Sequence, residues 1–212
     1  TEVASFYREL DMQSGLLKRS FEATLPSGKI VAVEAERLVS IVQDEIGTIF
    51  YNVTPKNFSG KIEFCSYLDF DVENEDSNYD EKFWEPVTQG QEAGASYVHA
   101  KTKKTGFEVT VAMRNSLSLD GAPQEWGMST DAKHMFVSEC ACYDVSQGQN
   151  LKLEKFAAVL SSMNHEVVSL EAKAAASATA AAAQGYEALR GEHVAAWHNK
   201  WETSDIEIDG DA

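Results

Sequence analysis

The feature that most constrains this chain is a two-residue alternation of apolar and polar side chains across its first 162 residues. Leu17, Phe21 and Leu25, for example, occupy odd-numbered positions of their segment, while Lys18 and Glu22 occupy even-numbered positions. The same alternation recurs in segments 31–36, 49–53, 62–68, 107–113, 135–143 and 151–160. Because side chains point alternately to the two faces of a strand, this pattern is typical of β-strands that bury one face.

The segments between these runs favour tight turns. Residues 26–28, 55–60, 105–106, 120–121 and 146–150 are rich in Pro, Gly, Ser, Asn and Asp. Such residues supply the backbone angles that turns need. Strands that follow one another without helical segments between them predict a mainly β, antiparallel sandwich rather than a parallel α/β sheet. Two segments, 69–94 and 117–131, lack the alternation and are interpreted as long loops, which often carry function.

The composition changes after residue 162. Alanine, the strongest helix former, dominates residues 166–190 and predicts an alanine-rich helix in which Gly185 and Gly191 weaken or kink the chain. Apolar residues continue near one stripe of this helix; they are Tyr186, Leu189, Val194, Trp197 and Trp201. An isolated helix of this kind is marginal in water, so we expect it to pack against a neighbour.

Charge excludes two classes of partner. With 34 acidic and 18 basic residues, the net charge of −16 repels phosphate backbones and anionic lipid. The sequence also lacks a run of about 18 apolar residues, the length that a membrane-spanning helix requires. We therefore expect no nucleic-acid partner, no membrane partner and a cytoplasmic location.

The cysteines Cys65, Cys140 and Cys142 are odd in number, which argues against a closed set of disulfides. We interpret them as small, buried, reduced residues. Cys140 and Cys142 share one face of a strand, but further Cys or His residues at zinc-ligand spacing are not near in sequence. The expectation is that the chain holds no metal and no cofactor.

Catalytic signatures are also missing from the sequence. It has no Gly-x-Ser-x-Gly elbow and no glycine-rich phosphate loop. Carboxylates such as Glu36 and Glu63 could be paired in many ways in so acidic a chain, so none is singled out for glycoside hydrolysis. Lysines that could bind phosphate occur at Lys101, Lys103 and Lys104, although a charged hairpin end is more often only solvated.

Four stretches of the chain resemble glycoside hydrolase family 65, and they occur in the order that the family has. They are LDMQSGLLKRSF at 10–21, ERLVS at 36–40 with YNVTPKNFSG at 51–60, LDFDVENEDSNYDEKFW at 68–84, and residues 197–210. The third is the most specific. It is most similar to the maltose-acting phosphorylases of the family, with those acting on trehalose or kojibiose close.

The resemblance implies a fold and an organisation. The fold is a galactose mutarotase-like antiparallel super-sandwich, followed by the alanine-rich linker helix. The implied division is a sandwich at 1–162, a helical linker at 163–203 and, at 204–212, the start of a connection to a catalytic (α/α)6 barrel. The family's sandwich has a leading segment before the first motif, so we expect a second chain fragment, an oligomer or a shorter sandwich.

The resemblance also implies a function for the whole protein. In the family, inorganic phosphate attacks the disaccharide with inversion, giving β-glucose 1-phosphate and glucose, and the barrel carries the acid and the phosphate-binding groups. This chain is then a non-catalytic domain that frames the active site and supports a homodimer. Two alternatives remain, a free-standing carbohydrate-binding module and part of a family 65 hydrolase such as a trehalase.

The acidic loop 69–84 is the best candidate for contact with substrate. Its residue types suit sugar binding and would line the disaccharide pocket; they are Asn74, Glu75, Asp76, Tyr79, Phe83 and Trp84. The alternatives are a solvated loop that Phe83 and Trp84 anchor to the core, or a calcium loop, although Asp76 replaces the glycine which that loop needs. On the helix, Tyr186, Trp197 and Trp201 are predicted to lie at a domain interface.

Overall fold

The computed structural model describes residues 1–73, 81–126, 129–206 and 210. The described residues form twelve strands, a 3₁₀ turn at Val167–Ser169 and two helices. The strands are β1 Glu2–Asp11, β2 Leu16–Thr24, β3 Ile30–Val39, β4 Ile46–Pro55, β5 Gly60–Asp69, β6 Trp84–Glu92, β7 Ala95–Thr102, β8 Glu108–Leu119, β9 Ala122–Gln124, β10 Ser129–Lys133, β11 Phe136–Val145 and β12 Leu151–Ser161. The helices are α1 Leu170–Gln184 and α2 Tyr186–Ser204.

All strand pairs are antiparallel and build two sheets. The large sheet has the order β1-β2-β3-β4-β12-β8-β7-β6, with β9 paired to β8. The small sheet has the order β10-β11-β5. The prediction of a mainly β, antiparallel super-sandwich followed by alanine-rich helix is therefore confirmed.

The inner face of the large sheet is apolar because the alternation stays in register from strand to strand. Phe21 on β2 lies opposite Val33 on β3, which lies opposite Val53 on β4. These residues pack with Phe64 of β5 and Val145 of β11 in one buried cluster between the two sheets. The two-residue period thus places the core between the sheets, as the sequence indicates.

The opposite face of the large sheet is covered by α1. Ala174, Ala175, Ala178 and Ala181 are at most 2% exposed and pack with residues of the sheet that include Ala112 and Phe156. Small side chains on both partners let the helix approach the sheet closely. The helix is also held through buried His99 of β7, whose Nδ1 lies 2.9 Å from an oxygen of Glu171. The expectation that the alanine-rich helix packs against a neighbour is confirmed.

Gly185 divides the helical region into two helices instead of kinking one. Its φ of 85° ends α1, and its N–H donates to the carbonyl of Ala181. The left-handed backbone angle suits glycine, because other residues pay a steric penalty there. Gly191, the other glycine at which a kink was expected, lies inside α2.

The expectation of three reduced, buried cysteines is wrong. Cys65 on β5 lies opposite Cys140 on β11, and the two form a disulfide between residues 75 apart in sequence. Cys142 is free and exposed. The pairing depends on the register of two strands that are distant in the chain, so the odd count and the local spacing of the cysteines could not show it.

The small sheet is narrower than the large one, and this leaves an apolar groove. Beyond the edge strand β5, a groove of about 750 Å³ opens over the inner face of β2, β3 and β4. Its lining includes Phe21, Val31, Val33 and Tyr51 from the large sheet and Phe64 from β5. Among the described residues, the small sheet therefore covers only part of the inner face of the large sheet.

Overpacking provides a test of the contact between α1 and the large sheet. We expect Ala178→Leu to lower the free energy of unfolding by about 1–3 kcal/mol, because the added carbons have no space beside the sheet. Ala180→Leu is the matched control, since Ala180 is exposed on the same helix. Its effect should stay within about 0.5 kcal/mol. Urea denaturation followed by circular dichroism measures both, and equal effects would contradict this packing.

Lys155 lies on β12 at the side of the sandwich, where its Nζ donates to the carbonyl of Tyr67 at 2.5 Å. Burial lowers the pKa of Lys155 to about 8, against the opposing effect of the Glu139 carboxylate. Above that pH the folded chain has released a proton that the unfolded chain still binds, up to the ordinary pKa of about 10.5. Stability should therefore rise with pH across this window, and the charged form should be destabilising below it.

We expect Lys155→Met to remove this pH dependence. Relative to the variant, the unmodified chain should gain about 2 kcal/mol of unfolding free energy between pH 7 and pH 10. Urea titrations of both proteins at each pH measure the difference. Parallel pH profiles of the two proteins would contradict the effect assigned to burial.

Candidate functional site

Helix α2 is fixed to the sandwich at its first turns by a polar cluster around Glu36. Tyr186 is 2% exposed, its ring centre lies 5.5 Å from that of Phe50, and its hydroxyl donates to Glu36 Oε1 at 2.6 Å. Arg190 Nε donates to the same oxygen at 2.5 Å. Burial, and then the carboxylate of Glu36, raises the pKa of Tyr186. The hydrogen bond to Glu36 likewise raises the pKa of Arg190.

His193 continues this contact one turn further along α2. Its side chain is 1% exposed, Nε2 lies 3.0 Å from the carbonyl of Gly15, and Nδ1 lies 3.2 Å from the backbone N of Ile41. A neutral ring with its proton on Nε2 donates to the first group and accepts from the second. Reasoning from sequence missed this residue. Its spacing of four from both Leu189 and Trp197 was the available signal.

The two tryptophans of α2 meet the turn between β1 and β2. Trp197 lies edge-on to His193, with ring centres 6.3 Å apart, and Trp201 Nε1 donates to the carbonyl of Met12 at 2.8 Å. The predicted interface residues Tyr186, Trp197 and Trp201 therefore all contact the sandwich of this chain. Their contact with a further domain stays a prediction.

The base of the acidic loop is closed by side chains on both of its arms. Lys82 Nζ lies 2.7 Å from Asp71 Oδ1, and the rings of Phe70 and Trp84 meet edge to face at 5.2 Å. The carbonyl of Phe83 accepts a hydrogen bond from the N–H of Lys103 at 2.9 Å. The predicted substrate-proximal residues Phe83 and Trp84 thus lie half-buried at the base, whereas Asn74, Glu75, Asp76 and Tyr79 lie outside the described residues.

At the loop base, Asp71 and Lys82 form an ion pair that is exposed to solvent. The hydrogen bond from Lys82 lowers the pKa of Asp71, and the same contact raises the pKa of Lys82. Beside this pair lies a cleft of about 460 Å³, lined by Glu73, Glu81, Lys82, Phe83, Lys103 and Lys104. Both carboxylates and lysine ammonium groups line this cleft.

Two of the three lysines considered for phosphate binding face carboxylates. Lys104 lies 3.4 Å from Glu81, and Lys101 lies 3.8 Å from Glu108. Such pairing reduces the positive charge that an incoming phosphate would meet. Glu36, one of the carboxylates considered for catalysis, instead anchors α2 through Tyr186 and Arg190.

The acidic loop and the docked helix lie at the same end of the sandwich. Leu68, the penultimate residue of β5, lines a pocket of about 430 Å³ together with Gly15, on which α2 docks. No helix among the described residues is long and apolar enough to cross a membrane. The candidate functional site is therefore this end of the sandwich, with the loop base on the β6 side and the turn between β1 and β2, with the last turns of α2, on the other side.

Residues 1–200 match the family described as "Glycosyl hydrolase family 65, N-terminal domain". The chain belongs to glycosyl hydrolase family 65. The family predicted from the four sequence stretches is thereby confirmed. The match includes the loop base and the turn between β1 and β2, and it ends just before Trp201 in the last turns of α2.

Several curated relatives of the family 65 chain are phosphorylases. It is 31% identical to maltose phosphorylase of Bacillus subtilis over 97% of the chain and 27% of that protein. It is 27% identical to α,α-trehalose phosphorylase of Thermoanaerobacter brockii over 99% of the chain and 28% of that protein. It is 26% identical to kojibiose phosphorylase of Halothermothrix orenii over 99% of the chain and 27% of that protein. The family 65 chain thus spans about a quarter of the length of these relatives.

The fold of the family 65 chain also has a solved counterpart. A putative kojibiose phosphorylase from the human microbiome matches 99% of the chain with a TM-score of 0.86 and 17% identity, over 26% of its own length. This likeness shows that the super-sandwich and the helices of this chain follow a known arrangement.

Gly15 offers a direct test of how α2 docks in this family 65 domain. Its φ is +68°, and an added Cβ would lie 2.2 Å from Trp197 Nε1. Gly15→Ala should therefore lower the free energy of unfolding by about 3 kcal/mol, through backbone strain and displacement of the tryptophan. Gly28→Ala is the matched control, because Gly28 has a φ of +78° but no atom within 4 Å of an added Cβ.

The control should cost only the backbone strain, about 1 kcal/mol. Urea denaturation followed by tryptophan fluorescence measures both variants. Equal losses in the two proteins would show that the Trp197 contact adds nothing to stability.

Proposed function

We propose that this chain is the non-catalytic N-terminal domain of an inverting disaccharide phosphorylase. In the whole protein, a catalytic (α/α)6 barrel would convert maltose and phosphate to β-glucose 1-phosphate and glucose. The observation that carries the proposal is the family match over residues 1–200, together with 31% identity to a maltose phosphorylase that is nearly four times as long as the matched segment. No catalytic residue is assigned to this chain.

The docking of α2 supports a positioning role. Tyr186, His193 and Trp201 fix the helix to the sandwich through hydrogen bonds of 2.6 Å, 3.0 Å and 2.8 Å. A domain joined after Ser204 would then be held in a defined orientation relative to the sheets. A flexible linker would not hold it in this way.

The position of the acidic loop supports a contribution to the substrate pocket. The loop leaves the sandwich at the end where α2 docks, so it would face a domain joined to that helix. We propose that Asn74, Glu75, Asp76, Tyr79, Phe83 and Trp84 border the disaccharide site from this side. Asn and acidic side chains hydrogen-bond sugar hydroxyls, and an aromatic ring packs against the apolar face of a sugar.

We further propose that the whole protein is a homodimer of the cytoplasm. Exposed apolar side chains support an association surface, since Leu10, Met12 and Val39 are 63%, 62% and 73% exposed. Leu10 and Val39 line the same pocket as Gly15. Contiguous exposed apolar residues of this kind mark interaction sites.

The activity is tested with the longer polypeptide that contains this domain. We expect it to release glucose 1-phosphate from maltose only when inorganic phosphate is present. Trehalose and kojibiose are assayed in parallel to fix the sugar. This chain alone should release none, because it would lack the catalytic groups.

The role of the loop is tested by Trp84→Ala in the same polypeptide. We expect kcat/KM for phosphorolysis to fall about tenfold, because the loop base loses its packing against Phe70 and shifts relative to the substrate. Phe58→Ala is the matched control. It removes an aromatic ring at the β4–β5 turn, at the other end of β5, and should leave kcat/KM within about twofold.

Three results would overturn the proposal. Glucose release without phosphate would identify a hydrolase, such as a trehalase. Binding of maltose or glucose by this chain alone in calorimetry would identify a free-standing carbohydrate-binding module. Equal losses of kcat/KM in the Trp84 and Phe58 variants would show that the loop does not border the active site.

A further inference from the structure

Three cysteines and one glutamate share the outer face of the small sheet. Glu63 and Cys65 are two residues apart on β5, and Cys140 and Cys142 are two residues apart on β11, so each pair points to one face. In the register of the two strands, Cys65 lies opposite Cys140 and Glu63 lies opposite Cys142. The four side chains therefore mark the corners of a small rectangle.

Solvent can reach this face. Glu63, Cys65 and Cys142 are exposed, and Cys140 is half-buried. The opposite face of the same strands carries buried residues, such as Phe64 and Ala141. The cluster thus lies on the face of the small sheet that points away from the buried residues, and Glu63 and Cys65 also border the apolar groove beyond β5.

Three of the four candidate ligand atoms already lie close together, although the disulfide bonds the two sulfurs to each other and they must separate after reduction before both can bind one ion. Among the described residues, a carboxylate oxygen of Glu63 and the sulfurs of Cys65 and Cys140 lie within 4.8 Å of one another. A tetrahedral zinc ion with Zn–S bonds of about 2.3 Å holds its sulfurs about 3.8 Å apart. Directly opposed residues on neighbouring strands suit this spacing, since their Cβ atoms are about 5 Å apart.

We propose that Glu63, Cys65, Cys140 and Cys142 bind a zinc ion when the disulfide between Cys65 and Cys140 is reduced. Three thiolates and one carboxylate supply the four ligands of a closed tetrahedral site. Thiolates select soft ions such as Zn²⁺ over Mg²⁺ and Ca²⁺, which prefer sites made only of oxygen. The site would join β5, an edge strand of the small sheet, to its neighbour β11.

The metal and the disulfide exclude one another. A dithiol reductant delivers two electrons and two protons to the Cys65–Cys140 bond, is itself oxidised to a disulfide, and leaves two thiols. Zinc then displaces the protons of these thiols and of Cys142. In the reverse direction, a two-electron oxidant such as a diazenedicarboxamide takes two electrons from the bound thiolates and two protons from water. The disulfide forms again and zinc is released.

Cobalt(II) provides the test, because Co²⁺ replaces zinc and gives a thiolate charge-transfer band. The chain is reduced with a phosphine, its β-sheet circular dichroism is recorded, and it is titrated with CoCl₂ under nitrogen. We expect one equivalent of cobalt to bind with a thiolate band. Zinc should displace it stoichiometrically, and the diazenedicarboxamide should release the zinc. The chain left in its disulfide form should show no band.

Variants assign the ligands. Cys65→Ser and Cys140→Ser should abolish most of the thiolate band, while Cys142→Ser and Glu63→Gln should weaken zinc binding about 10- to 100-fold. The matched control is Asp144→Asn, which removes an exposed acidic group two residues beyond Cys142. It should leave affinity within about twofold.

Several outcomes would overturn the site. They are a reduced chain that shows no thiolate band, a band that survives in Cys65→Ser at full strength, and Cys142→Ser or Glu63→Gln variants that bind zinc as well as the unmodified chain. An equal loss of zinc affinity in Asp144→Asn would show that binding depends on surface charge and not on these four ligands. A reduced chain that loses its sheet signal and does not regain it with zinc would also contradict the proposal. All these readouts are independent of phosphorolysis.

Discussion

The fold depends on strand β12, which joins the two halves of the large sheet. Leu151 of β12 lies opposite Val53 of β4 on one side and Leu119 of β8 on the other. Leu151 and Leu153 pack between the two sheets, and Phe156, Ala158 and Leu160 on the other face of the strand pack against α1. Because one strand contributes to both buried layers, the sheet supports the sandwich on one face and the helix on the other. Because this strand is buried on both faces, a substitution on either face would disturb a packed layer.

The candidate surface follows from this arrangement. With α1 held against the sheet, the chain turns at Gly185 and α2 runs to the hairpin of β1 and β2, where His193 and Trp201 bind backbone carbonyls. The acidic loop starts at the same end, and the ion pair between Asp71 and Lys82 closes its base. The domain therefore presents two elements at one end of the sandwich, which is the arrangement that the proposed framing role requires.

Much of this could be predicted from sequence, for physical reasons that differ between elements. Period-two alternation indicated β2, β3, β4, β5, β8, β11 and β12, because burial of one face demands it whatever the neighbours are. It did not indicate β1, β6, β7, β9 and β10, and the interpretation of 69–94 and 117–131 as long loops is wrong where β6, β9 and β10 form. Alanine content indicated the helix, and four motifs indicated the family. The same reasoning placed Tyr186, Trp197 and Trp201 at an interface but could not identify their partner. It missed His193, although the spacing of four from Leu189 and from Trp197 placed this residue on the same stripe of the helix.

The sequence by itself determined the class of fold, the helical segment that follows it and the family, since each of these follows from local periodicity, local propensity or motif order. Only the tertiary structure decided which distant residues meet. Cys65 reaches Cys140 across 75 residues, and Glu36 reaches Tyr186 across 150. Such contacts depend on strand register and on the path of the chain between elements. A shift of one residue in register would turn every side chain of a strand to the opposite face.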